Sequence, residues 1–199
     1  MSFILGLTGG IATGKSSVAT IFRFFHIPVV DGDVIARKLQ EKGTPTLKKL
    51  VENFGKEILL ENEELNRAKL GEIVFSNEEK MSELNQIMDP FLRQGFQEEI
   101  DFYQQQNAPL IVVDNPLLFE RNYVKMVHQS MLVYTNEEES LKRLMKRNNL
   151  SKKEAQKRID AQWSIENKRV LADIIIDNSG TVENTKEQVI NWLNKGGFI

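Results

Sequence analysis

The sequence predicts an α/β fold with a five-stranded parallel sheet covered by helices on both faces. Three observations predict it: five short runs built almost wholly of Val, Ile and Leu, helical periodicity between them, and a glycine-rich loop directly after the first run. A strand buried on both faces reads as a continuous apolar run, and parallel neighbours need a crossover long enough for a helix. In such sheets ligands bind beyond the carboxyl ends of the strands.

Composition allows this. A chain of 199 residues can bury a core of its own as one compact domain. Hydrophobic residues make up 41% and charged residues 27%, with a net charge of −2, so no global charge points to nucleic acid or an anionic membrane. The absence of cysteine excludes disulfides, thiolate metal sites and a cysteine nucleophile. The apolar stretch Phe3 to Leu7 is too short for a signal segment, and no run approaches the roughly 18 apolar residues of a membrane span. A soluble, cytoplasmic protein without nucleic-acid or membrane partners is expected.

The elements follow in order. "FILGL" is the first strand, and Ser16 to Phe25 is a helix with Val18, Ile21, Phe22 and Phe25 on one face. "IPVVD" is the second strand, ending at Asp31, and "VIARKLQ" is helical. Thr44 can cap the next helix, Pro45 suits its first position and Gly55 stops it. From Asn66 to about Gln106 the pattern stays helical, with breaks expected near Ser76 and Pro90. "LIVVD", ending at Asp114, is the third strand and "SMLVY" the fourth. "TNEE" from Thr135 and "SKKE" from Ser151 have the spacing of capping boxes. "ADIIID" is the fifth strand, and the closing helix from Thr181 to Lys195 has Val182, Val189, Trp192 and Leu193 on one side, with Trp192 expected in the core.

Three chemical landmarks lie at strand ends. After the first strand, Gly9-x-x-x-x-Gly14-Lys15-Ser16 matches the phosphate-binding loop pattern without a mismatch. Glycine lets the backbone approach the anion closely, successive N–H groups face it, and the following helix N-terminus adds positive potential. The loop Gly9, Gly10, Ile11, Ala12, Thr13, Gly14, Lys15, Ser16 and Ser17 is therefore the expected nucleotide site, with Lys15 on the β- and γ-phosphates and the Ser16 hydroxyl on Mg²⁺. After the second strand stands "DGD": Asp33 reads as a general base, as a carboxylate reaching Mg²⁺ through water, or as the N-cap of a helix starting at Val34. After the third stands Asp114, either a metal-proximal carboxylate or the cap of a turn before Pro116.

A guanine-nucleotide switch would need an Asn-Lys-x-Asp segment, and none is present; Asp177-x-x-Gly180 has a switch-like spacing but lies after the fifth strand. A small kinase fits the length better. Between Leu141 and Arg169, ten Lys and Arg face three carboxylates. A solvated helix pair gives such a run, and so does a lid that closes over triphosphate, with Arg143 and Arg147 on one helical face. His26 and His128 stand in no metal-ligand spacing and read as surface or core-edge residues.

With "GLTGGIATGKSS", "VVDGDVIAR", "LNR", "DNPLLFE" and "ADIIIDNSG" in this order, the chain resembles the dephospho-coenzyme A kinase family from Ile4 to about Asn191. The resemblance implies a three-layer α/β/α P-loop kinase, with core at about 1–40, 107–140 and 172–199, a helical acceptor-binding insert at about 41–106 and a helical lid at about 141–171. It implies ATP and dephospho-coenzyme A as substrates, Mg²⁺ as cofactor, and transfer of the γ-phosphate to a ribose 3′-hydroxyl. Asp33, Lys15 and Arg143 become catalytic, and Arg147 and Asn178 join the loop on the ATP side. Thr8, Asp33, Arg37, Asn66, Arg67, Arg93, Pro116, Leu117, Leu118, Phe119 and Glu120 fall on the acceptor side. The chain departs from the family at Gly32, where alanine is usual, at Asn115, at Trp163-Ser164, and at Asp89-Pro90, where His-Pro is usual.

Overall fold

The computed structural model describes residues 2–199. Strands β1 (Phe3–Gly9), β2 (Val29–Asp31), β3 (Leu110–Asp114), β4 (Gln129–Tyr134) and β5 (Ile174–Asp177) form one sheet in the order β2-β3-β1-β4-β5. The pairs β1–β3, β1–β4 and β4–β5 are parallel. Helices α1 (Lys15–Phe24), α2 (Gly32–Leu39), α3 (Pro45–Phe54), α4 (Arg67–Phe75), α5 (Glu78–Gln105), α6 (Glu137–Asn148), α7 (Lys152–Asp160), α8 (Ile165–Leu171) and α9 (Val182–Lys195) connect and flank the strands. No described helix is long and apolar enough to cross a membrane.

Two compact units divide the chain. The first comprises Met1–Val30 and Ile100–Ile199. Its register sets Leu5 opposite Val112, Leu7 opposite Met131 and Val133 opposite Ile176, so alternate residues of four strands share one face. That face packs on Val18, Ala19 and Phe22 of α1 and on Val189 and Leu193 of α9, all buried. Trp192 joins this cluster with Phe3, Phe22 and Phe198 around it, as expected of a core residue. The other face is buried too, through Ile4, Ile111, Val113 and Leu132. At the sheet's amino-terminal side His128 Nδ1 accepts from the Ile4 N–H at 2.8 Å and its ring lies against Phe3, a core-edge role.

The second unit, Asp31–Glu99, is built of helices around Leu47, Leu50, Phe54, Ile58, Leu65, Leu70, Val74 and Met88. Here α3 begins and ends on its signals: Thr44 Oγ1 accepts from the Leu47 N–H at 3.2 Å, Pro45 takes the first position and Gly55 stops the helix at φ 85°. The break at Ser76 is present, between α4 and α5.

Four expectations are corrected. Helix α5 runs unbroken through Pro90. The proline forfeits one backbone bond, but Met88 and Leu92 on either side of it both pack on the second unit's core and hold the axis. The N-cap of α2 is Asp31, which accepts from the amides of Asp33 and Val34, so Asp33 sits exposed in the first turn rather than capping. The N-cap of α6 is Asn136, accepting from the Glu139 N–H at 2.9 Å, because Thr135 is drawn fully into the interior after β4. Val182 stays 70% exposed at the first position of α9.

A reciprocal bond joins the starts of β4 and β5. Asp173 Oδ2 accepts from the Ser130 hydroxyl at 2.6 Å and the Ser130 N–H at 2.8 Å, and the Asp173 N–H returns to Ser130 Oγ at 3.1 Å. The Ser130 hydroxyl and amide hold the Asp173 carboxyl below its ordinary pKa. Asp173→Ala leaves fully buried Ser130 donors unpaired, which costs about 1–3 kcal/mol and lowers Tm by several degrees. A depressed folded pKa means that the carboxylate stabilises fully above its unfolded pKa of about 4 and loses this as pH falls through the lower folded value. The Tm gap between protein and variant therefore stays constant near neutrality and narrows in acid below about pH 4, which thermal melts across pH would read.

Candidate active site

The order of the sheet sets β1 between β3 and β4, so the loop leaving β1 is flanked by the segments that follow β3, β4 and β5. Two glycines of this loop are demanded by geometry. Gly14 has φ +90°, and a Cβ there would stand 2.0 Å from Asn178 Nδ2. At Gly9 a Cβ would meet Thr13 Oγ1 at 2.6 Å and the Val133 carbonyl at 3.2 Å. The loop closes on itself where the Thr13 hydroxyl donates to the Gly10 carbonyl at 3.0 Å.

Its shape is also held from outside. Asn178 Nδ2 donates to the Thr13 carbonyl at 2.7 Å, while Asn178 Oδ1 accepts from the Thr185 hydroxyl at 2.7 Å, which fixes the amide's orientation. The Ile11 N–H donates to Gln162 Oε1 at 2.9 Å. Ile11 and Ala12 pack against the small core of α6 and α7, made by Leu141, Leu144 and Ala155.

Charge gathers at the same place. Lys15, in the first turn of α1, pairs through Nζ with Asp114 Oδ1 at the end of β3, and Asp114 is 5% exposed. Arg143 of α6 donates from Nη2 to the Asn178 carbonyl at 2.9 Å and from Nε to Glu139 at 3.0 Å. Its Nη1 lies 3.9 Å from where a Gly14 side chain would begin, so this guanidinium borders the loop. Arg147, on the same helical face, is exposed and bonds its neighbour Asn148 instead. Asp177 accepts from the Ser179 N–H at 2.8 Å, so Asp177-x-x-Gly180 forms a local turn.

The segment after β3 is tied to the loop. Asn115 Oδ1 accepts from the Leu117 N–H at 2.9 Å, and the buried Thr8 hydroxyl donates to the Pro116 carbonyl at 3.3 Å. Leu118 is fully buried, with its methyls where a side chain on Gly6 would lie. Glu120 pairs with Lys168 at 2.6 Å.

The remaining acceptor-side candidates belong to the second unit. Asp33 and Arg37 are exposed on α2. Asn66 caps α4 by accepting from the Lys69 N–H at 3.1 Å, Arg67 donates to Gln40, and Arg93 Nε pairs with Asp89 at 2.8 Å one turn earlier on α5.

Two residues escaped the sequence reading. Gln162 carries no motif. Lys168 is one of the ten cations of the basic segment, for which the sequence allows a solvated helix pair or a lid, and it is fully buried. A signal existed: Ile165, Lys168 and Ala172 fall at spacings of three and four, which puts this lysine on the inward stripe of α8.

Asn178→Asp tests the clamp on Thr13. It keeps the shape but sets a carboxylate against the Thr13 carbonyl, so Tm should fall by the equivalent of about 1–3 kcal/mol. Affinity for an ATP analogue, read by calorimetry, should fall with it.

A loop so constrained, followed by Lys15-Ser16 and bordered by Arg143, on a parallel sheet of this order, defines a P-loop kinase. The family described as dephospho-CoA kinase matches residues 3–184. The chain is 46% identical over 195 residues to the dephospho-CoA kinase of Enterococcus faecalis, covering 98% of each. Among solved structures, a Thermus thermophilus protein matches with TM-score 0.81 and 32% identity, covering 98% of this chain and 97% of that one. The dephospho-CoA kinase of Campylobacter jejuni matches with TM-score 0.75 and 30% identity over the whole of both chains. The chain belongs to the dephospho-CoA kinase family.

Proposed function

We propose that the protein transfers the γ-phosphoryl group of ATP to the ribose 3′-hydroxyl of dephospho-coenzyme A, giving coenzyme A and ADP as the last step of coenzyme A synthesis in the cytoplasm. The observation that carries this is the phosphate loop, held at Thr13 and Ile11 from outside, in a chain matched almost end to end by the family. Phosphoryl transfer asks for positioning, cationic charge on the moving group and a carboxylate for the acceptor's proton.

Gly9 to Ser17 hold the triphosphate of ATP, Lys15 supplies a point charge to the β- and γ-phosphates, and Arg143 stabilises charge on the moving group. Asn178 keeps the loop in shape next to the nucleotide, and Arg147 joins from the lid, about 141–171. On the acceptor side we assign Thr8, Asp33, Arg37, Asn66, Arg67, Arg93 and the segment Pro116 to Glu120, and to acceptor binding the helical insert of about 41–106. The 3′-oxygen attacks the γ-phosphorus, the bond to the β,γ-bridging oxygen breaks, and the acceptor's proton passes to Asp33. In support of that role, Asp31 does the capping of α2, so the Asp33 carboxylate is not consumed as a cap.

The donor set suits Mg²⁺. Ser16 and the buried Asp114 are hard oxygen ligands, and the described residues form no group of three or more His, Cys, Asp or Glu that could hold a metal alone. Mg²⁺ keeps several waters and takes one or two protein ligands plus phosphate oxygens. Ser16 would hold the ion directly, with Asp114 or Asp33 reaching it through water. Bound there, Mg²⁺ neutralises charge on the β- and γ-oxygens.

Purified protein with ATP, Mg²⁺ and dephospho-coenzyme A should release ADP and coenzyme A, followed by mass spectrometry. Folded protein that turns over none of this acceptor, but phosphorylates a nucleoside monophosphate or another small alcohol, overturns the assignment. Lys15→Ala should lower kcat by about 10²–10³-fold or more. Asp33→Asn should lower kcat by about 10²–10⁴-fold and leave ATP affinity nearly intact if the carboxylate is the base. Equal losses in ATP binding and kcat would instead give Asp33 a metal or structural role.

A further inference from the structure

Lys168 is the one described lysine with no solvent exposure at all. An ammonium has three donors. Two go to the Pro116 carbonyl at 2.8 Å and the Gly9 carbonyl at 3.4 Å, and Nζ stands 2.6 Å from Glu120 Oε1 as an ion pair. Both Glu120 carboxylate oxygens are closed off from solvent, and Lys168 is the cation paired with Oε1 among the described residues.

A buried ion pair is weak evidence for stability, because apolar residues of the same volume hold a core as well or better. What apolar residues cannot do is bind two carbonyl oxygens in fixed directions. Gly9 opens the phosphate loop, and Pro116 and Glu120 bound the segment after β3. One ammonium therefore joins the loop that holds the donor to the segment assigned above to the acceptor. Its own helix follows the turn carrying Gln162, which takes the Ile11 N–H at 2.9 Å, and Ile165 of α8 comes within 3.6 Å of where a Gly10 side chain would begin. The α8 region thus grips the loop at both ends of Gly9-Gly10-Ile11.

We propose that Lys168 is a positioning residue for phosphoryl transfer: its buried ammonium sets the placement of the donor loop relative to the segment 116–120, and turnover depends on it although it contacts neither substrate. The proposal rests on the acceptor assignment given above. Misplacing reactants by about an ångström costs up to about 10²-fold in rate, so kcat is where the effect belongs, more than ATP affinity.

The test compares Lys168→Met, Glu120→Gln and the double variant by thermal melts, ATP-analogue binding and kcat at saturating dephospho-coenzyme A, well below every Tm. Lys168→Met should lower Tm, because it leaves a buried carboxylate unpaired, and should lower kcat by about 10- to 100-fold with ATP affinity changed by less than about threefold. Glu120→Gln keeps both lysine–carbonyl bonds and should lower kcat less. The double variant removes both charges and should regain much of the lost Tm while kcat stays low, and it decides the matter if Lys168→Met fails to fold. A Lys168→Met protein with kcat within twofold of the parent overturns the proposal, as does a double variant that regains kcat together with Tm. A parent protein without turnover would instead overturn the assignment of the acceptor.

Discussion

A phosphate loop must offer its backbone N–H groups to an anion, so its inner surface can carry no side chains. Its own packing is limited to Ile11 and Ala12, and fixing each backbone residue costs about 1–2 kcal/mol of entropy. The solution here is to hold the loop from behind. Asn178 takes the Thr13 carbonyl, Gln162 takes the Ile11 amide, Lys168 takes the Gly9 carbonyl, and Gly14 adopts a left-handed conformation that brings its backbone against the Asn178 amide. These partners come from the turn before α8, from α8 itself and from the turn after β5, all distant in sequence. A site organised before its ligand arrives loses nothing to reorganisation when charge moves.

This constraint explains much of the first unit. Placing β1 between β3 and β4 surrounds the loop with the ends of other strands, and the buried Asp114 then stands where Lys15 can reach it. The apolar register of four strands against α1 and α9 fixes those ends relative to one another. Asn178 shows the dependence in one residue: its backbone N–H completes the bond to the Tyr134 carbonyl at 2.7 Å, its side chain clamps Thr13, and its carbonyl receives Arg143. Sheet, loop and arginine are joined through it.

The sequence was legible where the cause was local. Continuous apolar runs located every strand, and Thr44-Pro45 with Gly55 marked the ends of α3, because caps and stops act through backbone atoms a few residues away. It misled where tertiary packing decided. Pro90 reads as a break, but Met88 and Leu92 bury against one cluster across it. Thr135 has the spacing of a cap, but it is buried at the end of β4 and Asn136 serves instead. Of the site, the loop and the carboxylate after β3 were readable from spacing. Lys168 was readable only as a position on the inward stripe of α8; its partners, two carbonyls far off in sequence, were not.

The substitution of Asp89-Pro90 for the family's usual His-Pro acquires a physical meaning in the second unit. Asp89 pairs with Arg93 one helical turn on, at 2.8 Å, with side chains 30% and 37% exposed. Under the proposal that Arg93 borders the acceptor, this carboxylate competes for the same guanidinium and sets a negative charge where the family's usual imidazole can carry a positive one. The competition is mild. A half-exposed i,i+4 pair is worth only a few tenths of a kcal/mol, whereas a charge-assisted bond from arginine to phosphate is among the stronger hydrogen bonds. Asp89 therefore holds the Arg93 side chain along α5 at little cost to the pairing of either group with another charge.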